Sequence, residues 1–403
     1  MKTTLYLHIG TPKTATTSIQ NFLPANEEIL ERHGICYADL GFRYPKVGIY
    51  RNAEFLVTTS YRDENGRRIL EKEQEDYRQG LQKLQEIGKK FPKIILSDEG
   101  IWQKSLFYRK NFWEKLKEDL DAIGFETKII VYFRRQDLFS QSRWAQKIKE
   151  GATYSFQGYL ADPSSINYPL DYYAYMSKLA NIFGKDALIL RVFEKQQFRG
   201  EEKTIHSDFL DIFGLKIKDG FVLQKEVYNT SFEGDYLEMK TILNYFPEFK
   251  SNRHLLISTM KSIQDEKFFE YNYRKCTYFG PGEQERFMEQ FNESNAKLAS
   301  EFMGRADGKL FYDDVKQYPE YSIDTRNLLV DTILVYGKVI GIINDKCNEN
   351  TKQIEALKKK LEEKSEKQKE TDRELKEMIR ALEQTSLLFR IRRKWRHITG
   401  KDR

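Results

Sequence analysis

Four short apolar runs separated by helical stretches constrain the fold of this 403-residue chain more than any other feature. The runs are residues 5–9, 93–96 (KIIL), 128–133 (KIIVYF) and 187–193 (ALILRVF), and residues 76–89 and 112–123 are helical stretches between them. Strands that alternate with helices form a parallel sheet covered by helices on both faces. The sequence therefore predicts an α/β fold in which helices flank a parallel β-sheet, followed by a helical C-terminal extension.

The last quarter of the chain differs in composition from the rest. Residues 1–310 are long enough for one domain with a substantial core, and 311–348 are predicted to form a connector and a helix. Residues 349–385 are rich in Lys and Glu, and six apolar residues there lie near heptad spacing: Ile354, Leu357, Leu361, Leu375, Met378 and Leu382. This pattern is typical either of a coiled coil, which predicts a homodimer, or of a solvated single helix. Residues 386–403 mix apolar and basic side chains, as in an amphipathic helix on an anionic membrane or a frayed basic tail.

Charge and cysteine content narrow the types of ligand and the cellular location that we expect for the protein. A formal net charge of +6 and a pI near 8.8 suit an anionic ligand but do not by themselves indicate nucleic acid. Cys36, Cys276 and Cys347 are far apart and odd in number, which disfavours a disulfide framework or a zinc site. The N-terminus does not resemble a signal peptide, and the apolar stretch 328–343 contains Asp331 and Lys338. We therefore expect a cytoplasmic protein, with the basic tail at the inner face of the membrane.

The segment after the first strand has the composition of a phosphate-binding loop. A glycine-started loop with a lysine leads into a helix rich in hydroxyl groups, and the unpaired N–H groups at a helix start bind phosphate well. The candidate residues are Gly10, Thr11, Pro12, Lys13, Thr14, Ala15, Thr16, Thr17 and Ser18. A nucleoside triphosphate loop would need GxxxxGK[ST], whereas Lys13 lies three residues before Thr16. The spacing favours a nucleotide phosphate bound without metal over a simple helix cap.

A second anion site is predicted at the end of the third run, where Arg134 and Arg135 follow KIIVYF. A guanidinium group matches the geometry of phosphate oxygens. Ser142 comes eight residues after Arg134 and would lie on the second turn of a helix that begins near Gln136. The alternative is that the two arginines form structural ion pairs.

These motifs resemble those of the PAPS-dependent sulfotransferase family (PAPS, 3′-phosphoadenosine 5′-phosphosulfate), and of bacterial carbohydrate sulfotransferases in particular, over about residues 3–305. In the family loop GxxKxGTT, Gly10, Lys13, Thr16 and Thr17 match, and Ala15 replaces a glycine, although alanine resists a positive φ. Arg134 and Ser142 match the pair that binds the 3′-phosphate. The resemblance implies a P-loop fold, PAPS as co-substrate without metal, adenosine 3′,5′-bisphosphate as product, and a glycan or glycolipid acceptor.

In-line sulfuryl transfer needs a base for the acceptor hydroxyl and a cation at the leaving oxygen. Lys13 is the candidate cation and Glu99, just past the KIIL strand, is the candidate base, with Asp98 as its neighbour and competitor. His8 is a further candidate base, although a histidine within a strand is more often packed in the core. Ser97 is a candidate helper near the phosphosulfate.

Three other functions stay open at this stage. A nucleotide-dependent kinase would need GK[ST] and an acidic magnesium ligand. A catalytically inactive P-loop scaffold would act through its C-terminal coiled coil. A nucleic-acid binder would use the basic tail, which contains no recognisable binding module.

Overall fold

The computed structural model describes residues 3–45, 47–162, 169–223, 232–247, 253–266, 276–313 and 318–399. Its centre is a five-stranded, wholly parallel sheet in the order β2-β3-β1-β4-β5. The strands are β1 (Thr3–His8), β2 (Ile35–Tyr37), β3 (Lys93–Ser97), β4 (Phe125–Phe133) and β5 (Leu188–Val192). The predicted α/β class is confirmed, and four strands coincide with the predicted runs. The three-residue β2 was missed because so short a segment carries no periodic signal.

Helices connect and follow these strands. In chain order they are α1 (Thr16–Ala25), α2 (Glu27–Arg32), α3 (Leu70–Gly88), α4 (Gly100–Lys104), α5 (Phe112–Ala122), α6 (Gln136–Glu150), α7 (Phe156–Ala161), α8 (Tyr172–Phe183), α9 (Ile205–Asp211), α10 (Asp235–Leu243), α11 (Arg253–Glu266), α12 (Glu283–Glu289), α13 (Asn292–Lys297) and α14 (Thr325–Thr399).

Both faces of the sheet are buried, each in its own apolar cluster. Along β4, Ile129, Val131 and Phe133 pack into one cluster, whereas Ile130 and Tyr132 pack into the other. This alternation follows from the two-residue period of a strand, and burial of both faces explains why the strand sequences are almost continuously apolar.

The register of the three central strands brings their carboxyl ends to one edge of the sheet. His8 at the end of β1 pairs with Ser97 at the end of β3 and with Ile130 in β4. The loop after β1, the residues after β3 and Arg134 after β4 therefore share the edge where parallel sheets bind their ligands.

The C-terminal helix belongs largely to a second compact unit. The chain divides into Met1–Leu328 and Leu329–Arg403, and α14 runs without a break from Thr325 to Thr399. The boundaries predicted at 348 and 385 both fall inside this helix, and residues 400–403 of the predicted tail lie outside the described residues. By length and composition alone, α14 is long and apolar enough to be a candidate membrane span.

Candidate active site

The loop between β1 and α1 is tied to the neighbouring strand β4. Thr11 N donates to Tyr132 O (2.9 Å), and Tyr132 N donates to Gly10 O (2.7 Å). The Thr14 hydroxyl donates to Thr11 O (2.6 Å), and the Thr11 hydroxyl donates to Tyr132 O (3.1 Å). Thr11 and Thr14 are fully buried, so the hydroxyl groups of these two predicted ligands hold the shape of the loop.

Three residues of the loop adopt left-handed backbone conformations. Gly10 has φ +108°, and a Cβ there would lie 3.0 Å from Pro12 N and 3.4 Å from Glu99 Cβ. Lys13 has φ 70°, and Ala15 has φ 57° and ψ 30°. Ala15 thus takes the conformation that a glycine would adopt easily, at a cost of about 1–2 kcal/mol. The replacement of glycine by alanine does not remove the left-handed turn from the loop.

The start of α1 retains the features of an anion site. Among the described residues, no side chain caps this end of the ten-residue helix, and its first turn contains no acidic residue. Thr16 is buried and Thr17 is exposed. The Ser18 hydroxyl is hydrogen-bonded to His206 Nε2 (2.9 Å). Backbone N–H groups at the helix start, together with the Thr16 and Thr17 hydroxyls, are therefore the donors best placed for a phosphate.

Cationic side chains converge on this loop. Arg134 Nη1 donates to Lys13 O (2.6 Å), and the Tyr172 hydroxyl donates to Arg134 O (2.6 Å). Burial lowers the pKa of Lys13 to about 8, and the nearby charges of Arg134 and Arg143 lower it further. Burial likewise lowers the pKa of Arg134 to about 10. Cations that depress one another's ionisation in a partly buried site are stabilised when an anion binds between them.

The cationic region extends along α6 to α11. Burial lowers the pKa of Lys149 to about 7, with further contributions from Lys261 and Lys13. Lys149 lies two helical turns after Ser142 and on the same face of α6, so helical periodicity could have identified it. Lys261 is in α11 and could not have been connected to the loop from sequence alone.

The two arginines of the second predicted site have different surroundings. Helix α6 begins at Gln136, so half-buried Ser142 lies on its second turn. Arg135 is buried and donates to both carboxylate oxygens of Asp137 (2.8 and 2.9 Å). Arg135 therefore forms a structural ion pair, which was the alternative hypothesis for both arginines.

The two carboxylates after β3 also have different environments. Asp98 is fully buried and binds Arg51 through two contacts (2.5 and 3.2 Å), and it also accepts from Gly100 N (2.7 Å). Glu99 is 20% exposed and accepts a hydrogen bond from Gln20 Nε2 (2.9 Å), with Arg51 Nε at 3.8 Å. The negative charge of Glu99 raises the pKa of Lys13. Glu99 is therefore the carboxylate that faces the loop, whereas Asp98 anchors Arg51.

The buried carboxylate of Glu54 holds Arg51, the residue that pairs with Asp98. Glu54 pairs with Lys104 and with Arg51 (3.3 Å), and burial together with the charge of Asp98 raises its pKa to about 7. Arg51 and Glu54 lie between β2 and α3 in a segment without motif or periodicity, so the sequence carried no signal for their role.

His8 lies inside the core rather than on the loop. Its ring is fully buried and contacts Tyr132 and Phe209 edge-on, with centroids 5.9 and 5.7 Å away. Burial lowers its pKa to about 4, so the ring is neutral near pH 7. His8 Nδ1 is hydrogen-bonded to the Ser97 hydroxyl (2.8 Å), which also accepts from Gln20 Nε2 (3.2 Å). These contacts connect His8 to Glu99 through Ser97 and Gln20.

Comparisons with known proteins give limited similarity. No family model matches the chain. It is 28% identical over 181 residues to an uncharacterized protein from Archaeoglobus fulgidus, an alignment that spans 44% of this chain and less than half (46%) of that relative. Among solved structures it is similar to a sulfotransferase from Alicyclobacillus acidocaldarius, with 16% identity and a TM-score of 0.32 over 56% of this chain and 86% of the other. A TM-score this low carries no functional conclusion, so the chemistry of the site must support any assignment.

Proposed function

We propose that this protein is a sulfotransferase that moves a sulfuryl group from PAPS to a hydroxyl group of a carbohydrate or glycolipid. The observation that carries the proposal is the meeting of Lys13, Arg134 and Glu99 at the carboxyl edge of the sheet. A cationic site for a nucleotide phosphate and a carboxylate for a hydroxyl proton then lie side by side. The motif resemblance described above adds the identity of the nucleotide.

The residues present suit a nucleotide with phosphates at two ends. Lys13, the start of α1, Thr16 and Thr17 would hold the 5′-phosphosulfate, and Arg134 with Ser142 would hold the 3′-phosphate. When bound, PAPS supplies the activated sulfuryl group. Cations whose pKa values are lowered in the free protein, such as Lys13, bind anions favourably because the anion offsets their mutual repulsion.

The chain's own residues would contribute a base and a positive charge. Glu99 accepts the proton of the acceptor hydroxyl as the new oxygen–sulfur bond forms and the bond to the nucleotide phosphate breaks. Lys13 stabilises the charge left on that phosphate. Gln20 and Arg51 orient Glu99, and the buried, neutral His8 has a supporting role through Ser97 rather than that of the base.

Two features disfavour the alternatives. A kinase needs GK[ST] in its phosphate loop, which residues 10–18 do not contain, and Asp98 at the strand end is engaged by Arg51 and Gly100. An inactive scaffold was favoured by Ala15, yet the loop keeps a left-handed conformation there.

We also propose a cytoplasmic location, with the basic tail in contact with the inner face of the membrane.

Calorimetric titration with adenosine 3′,5′-bisphosphate in the presence of EDTA tests the proposal. We expect micromolar binding to the wild type and at least tenfold weaker binding, about 1.4 kcal/mol, to Lys13→Ala and to Arg134→Ala. Lys117→Ala, which removes an exposed-face ion pair on α5, is the matched control and should bind as the wild type does. Absence of wild-type binding, or equal binding by all variants, would refute the site.

A further inference from the structure

Helix α14 carries one apolar stripe in a single heptad frame from Leu329 to Phe389. Successive steps of four and three residues pass through Leu329, Ile333, Tyr336, Ile340, Ile343, Cys347, Ile354, Leu357, Leu361, Leu375, Met378, Leu382 and Phe389. The twelve members other than Cys347 are 41–70% exposed, and Cys347 is exposed as well. The frame begins at the first residue of the second compact unit.

Polar residues occupy some positions of the stripe without shifting its frame. Asn350 and Thr385 each replace one apolar residue, and Lys364, Gln368 and Thr371 interrupt the stripe between Leu361 and Leu375. The apolar pattern then resumes in phase, with no residue inserted or deleted. A solvated helix that only separated two unrelated segments would have no reason to preserve this phase, whereas a continuous helix–helix interface requires it.

From this pattern we infer that α14 pairs with α14 of a second copy of the chain as a parallel, in-register coiled coil. In the heptad notation Ile333, Ile340 and Ile354 take a positions, where β-branched residues favour two-stranded coils. Asn350 takes a d position. Its buried side-chain amide can hydrogen-bond to Asn350 of the other copy only when the two helices are in register.

The charges on either side of the stripe are compatible with this pairing. In a parallel dimer each g residue faces the e residue of the next heptad on the other copy. From Thr332 to Arg393 none of these pairs joins like charges, and Lys367 of one copy faces Asp372 of the other. An antiparallel pairing centred on the same stripe would instead bring Lys358 and Lys360 against their own copies. Charge therefore favours the parallel arrangement.

The apolar surface is large enough for a stable dimer. Each large apolar side chain loses roughly 60–120 Å² of exposed surface when fully buried. Twelve such side chains from each copy would remove roughly 1,500 Å² or more from water, and stable interfaces bury about 1,200–2,000 Å².

A bilayer explains this stripe less well than a second copy does. The candidate membrane span is Thr325–Arg396, and the apolar stretch 328–343 near its start would place Asp331 and Lys338 in the hydrocarbon core. The stripe continues for some forty residues beyond, through a segment too rich in Lys and Glu to enter a bilayer. The apolar first part of α14 and its Lys- and Glu-rich remainder share one heptad frame. A single partner helix that packs against both segments therefore accounts for the whole stripe.

Cys347 provides a direct test of direction and register, because it occupies an a position. In the parallel dimer two Cys347 thiols face each other within disulfide distance, and copper phenanthroline in air would take up the two electrons and two protons that disulfide formation releases. The control is Cys347→Ser combined with Lys352→Cys, which moves the thiol to an outward f position. We expect the full-length control to cross-link at least about tenfold more slowly than the wild type, because thiols on opposite sides of the coil cannot be bridged.

Light scattering on full-length protein in detergent-free buffer measures the association itself. We expect about twice 47.9 kDa for the wild type. We expect the double variant Leu357→Lys with Leu361→Lys, which places charge in the stripe, to be monomeric. The control is Ala356→Lys with Gln384→Lys, which adds the same charge at outward c positions and should remain a dimer. A monomeric wild type, or a dimer unaffected by the first pair, would overturn the inference. A dimer that does not cross-link through Cys347 would exclude parallel pairing. A monomer that still sediments with phosphatidylglycerol vesicles after deletion of the basic tail 386–403 would assign the stripe to the membrane.

Discussion

The lowered pKa of Lys13 predicts that nucleotide binding weakens above pH 8. In the free protein the pKa of Lys13 is about 8 instead of the usual 10.5, chiefly because the side chain is buried and secondarily because Arg134 and Arg143 are close. A bound phosphate favours the charged form and therefore raises this pKa. The affinity should accordingly be constant well below pH 8 and should fall as Lys13 loses its proton in the free protein.

The size of the effect follows from the protonated fraction. With a pKa of about 8, about nine-tenths of Lys13 is charged at pH 7 and about one-tenth at pH 9. Binding that requires the charged form should weaken about tenfold over this range, equivalent to about 1.4 kcal/mol. The phosphate groups contribute little to the change because their second pKa is about 6.

The assay is titration with adenosine 3′,5′-bisphosphate at half-unit steps from pH 6.5 to pH 9.5. Lys149 has a pKa lowered to about 7 and would titrate in the same range, so the measurement is made in a Lys149→Arg background. Adding Lys13→Arg to that background keeps both charges constant and should abolish the pH dependence. An affinity that stays flat between pH 7 and pH 9 with Lys13 present, or a tenfold change that persists in the arginine variant, would refute the assigned role of Lys13.

Three further predictions concern the base, the loop and the tail. Glu99→Gln should lower the transfer of radiolabelled sulfate from PAPS to a glycan extract by about 10²–10⁴-fold while nucleotide affinity is unchanged; equal loss of both would argue against a base. Ala15→Gly should leave the free energy of unfolding unchanged or raise it by up to about 1 kcal/mol, whereas Ala180→Gly in α8 should lower it by about 1 kcal/mol, as denaturant titration can measure. Deletion of residues 386–403 should reduce sedimentation with anionic vesicles, and undiminished binding would exclude the tail as the membrane contact.

Much of the fold and part of the site could be predicted from local sequence. The strand runs are almost continuously apolar because both faces of the sheet are buried, and this pattern is visible without tertiary structure. The loop and its lysine were recognisable because strand, loop and helix start are contiguous in the chain. Ser142 could be placed relative to Arg134 because both lie within one strand–helix connection. The heptad spacing of the C-terminal helix is likewise a local property.

Only the tertiary structure separated residues of the same chemical type. Asp98 and Glu99 are neighbours, but the turn after β3 directs one to Arg51 and leaves the other beside the loop. Arg134 and Arg135 are divided in the same way, since Arg135 pairs with Asp137 whereas Arg134 donates to Lys13 O. Arg51 and Lys261 reach the site from distant segments, and a contact between residues far apart in the chain leaves no periodic trace in the sequence. The local sequence pattern thus determined which strands and helices form and that the strand ends share one edge of the sheet. Packing between elements distant in the chain decided which charged side chains face the site.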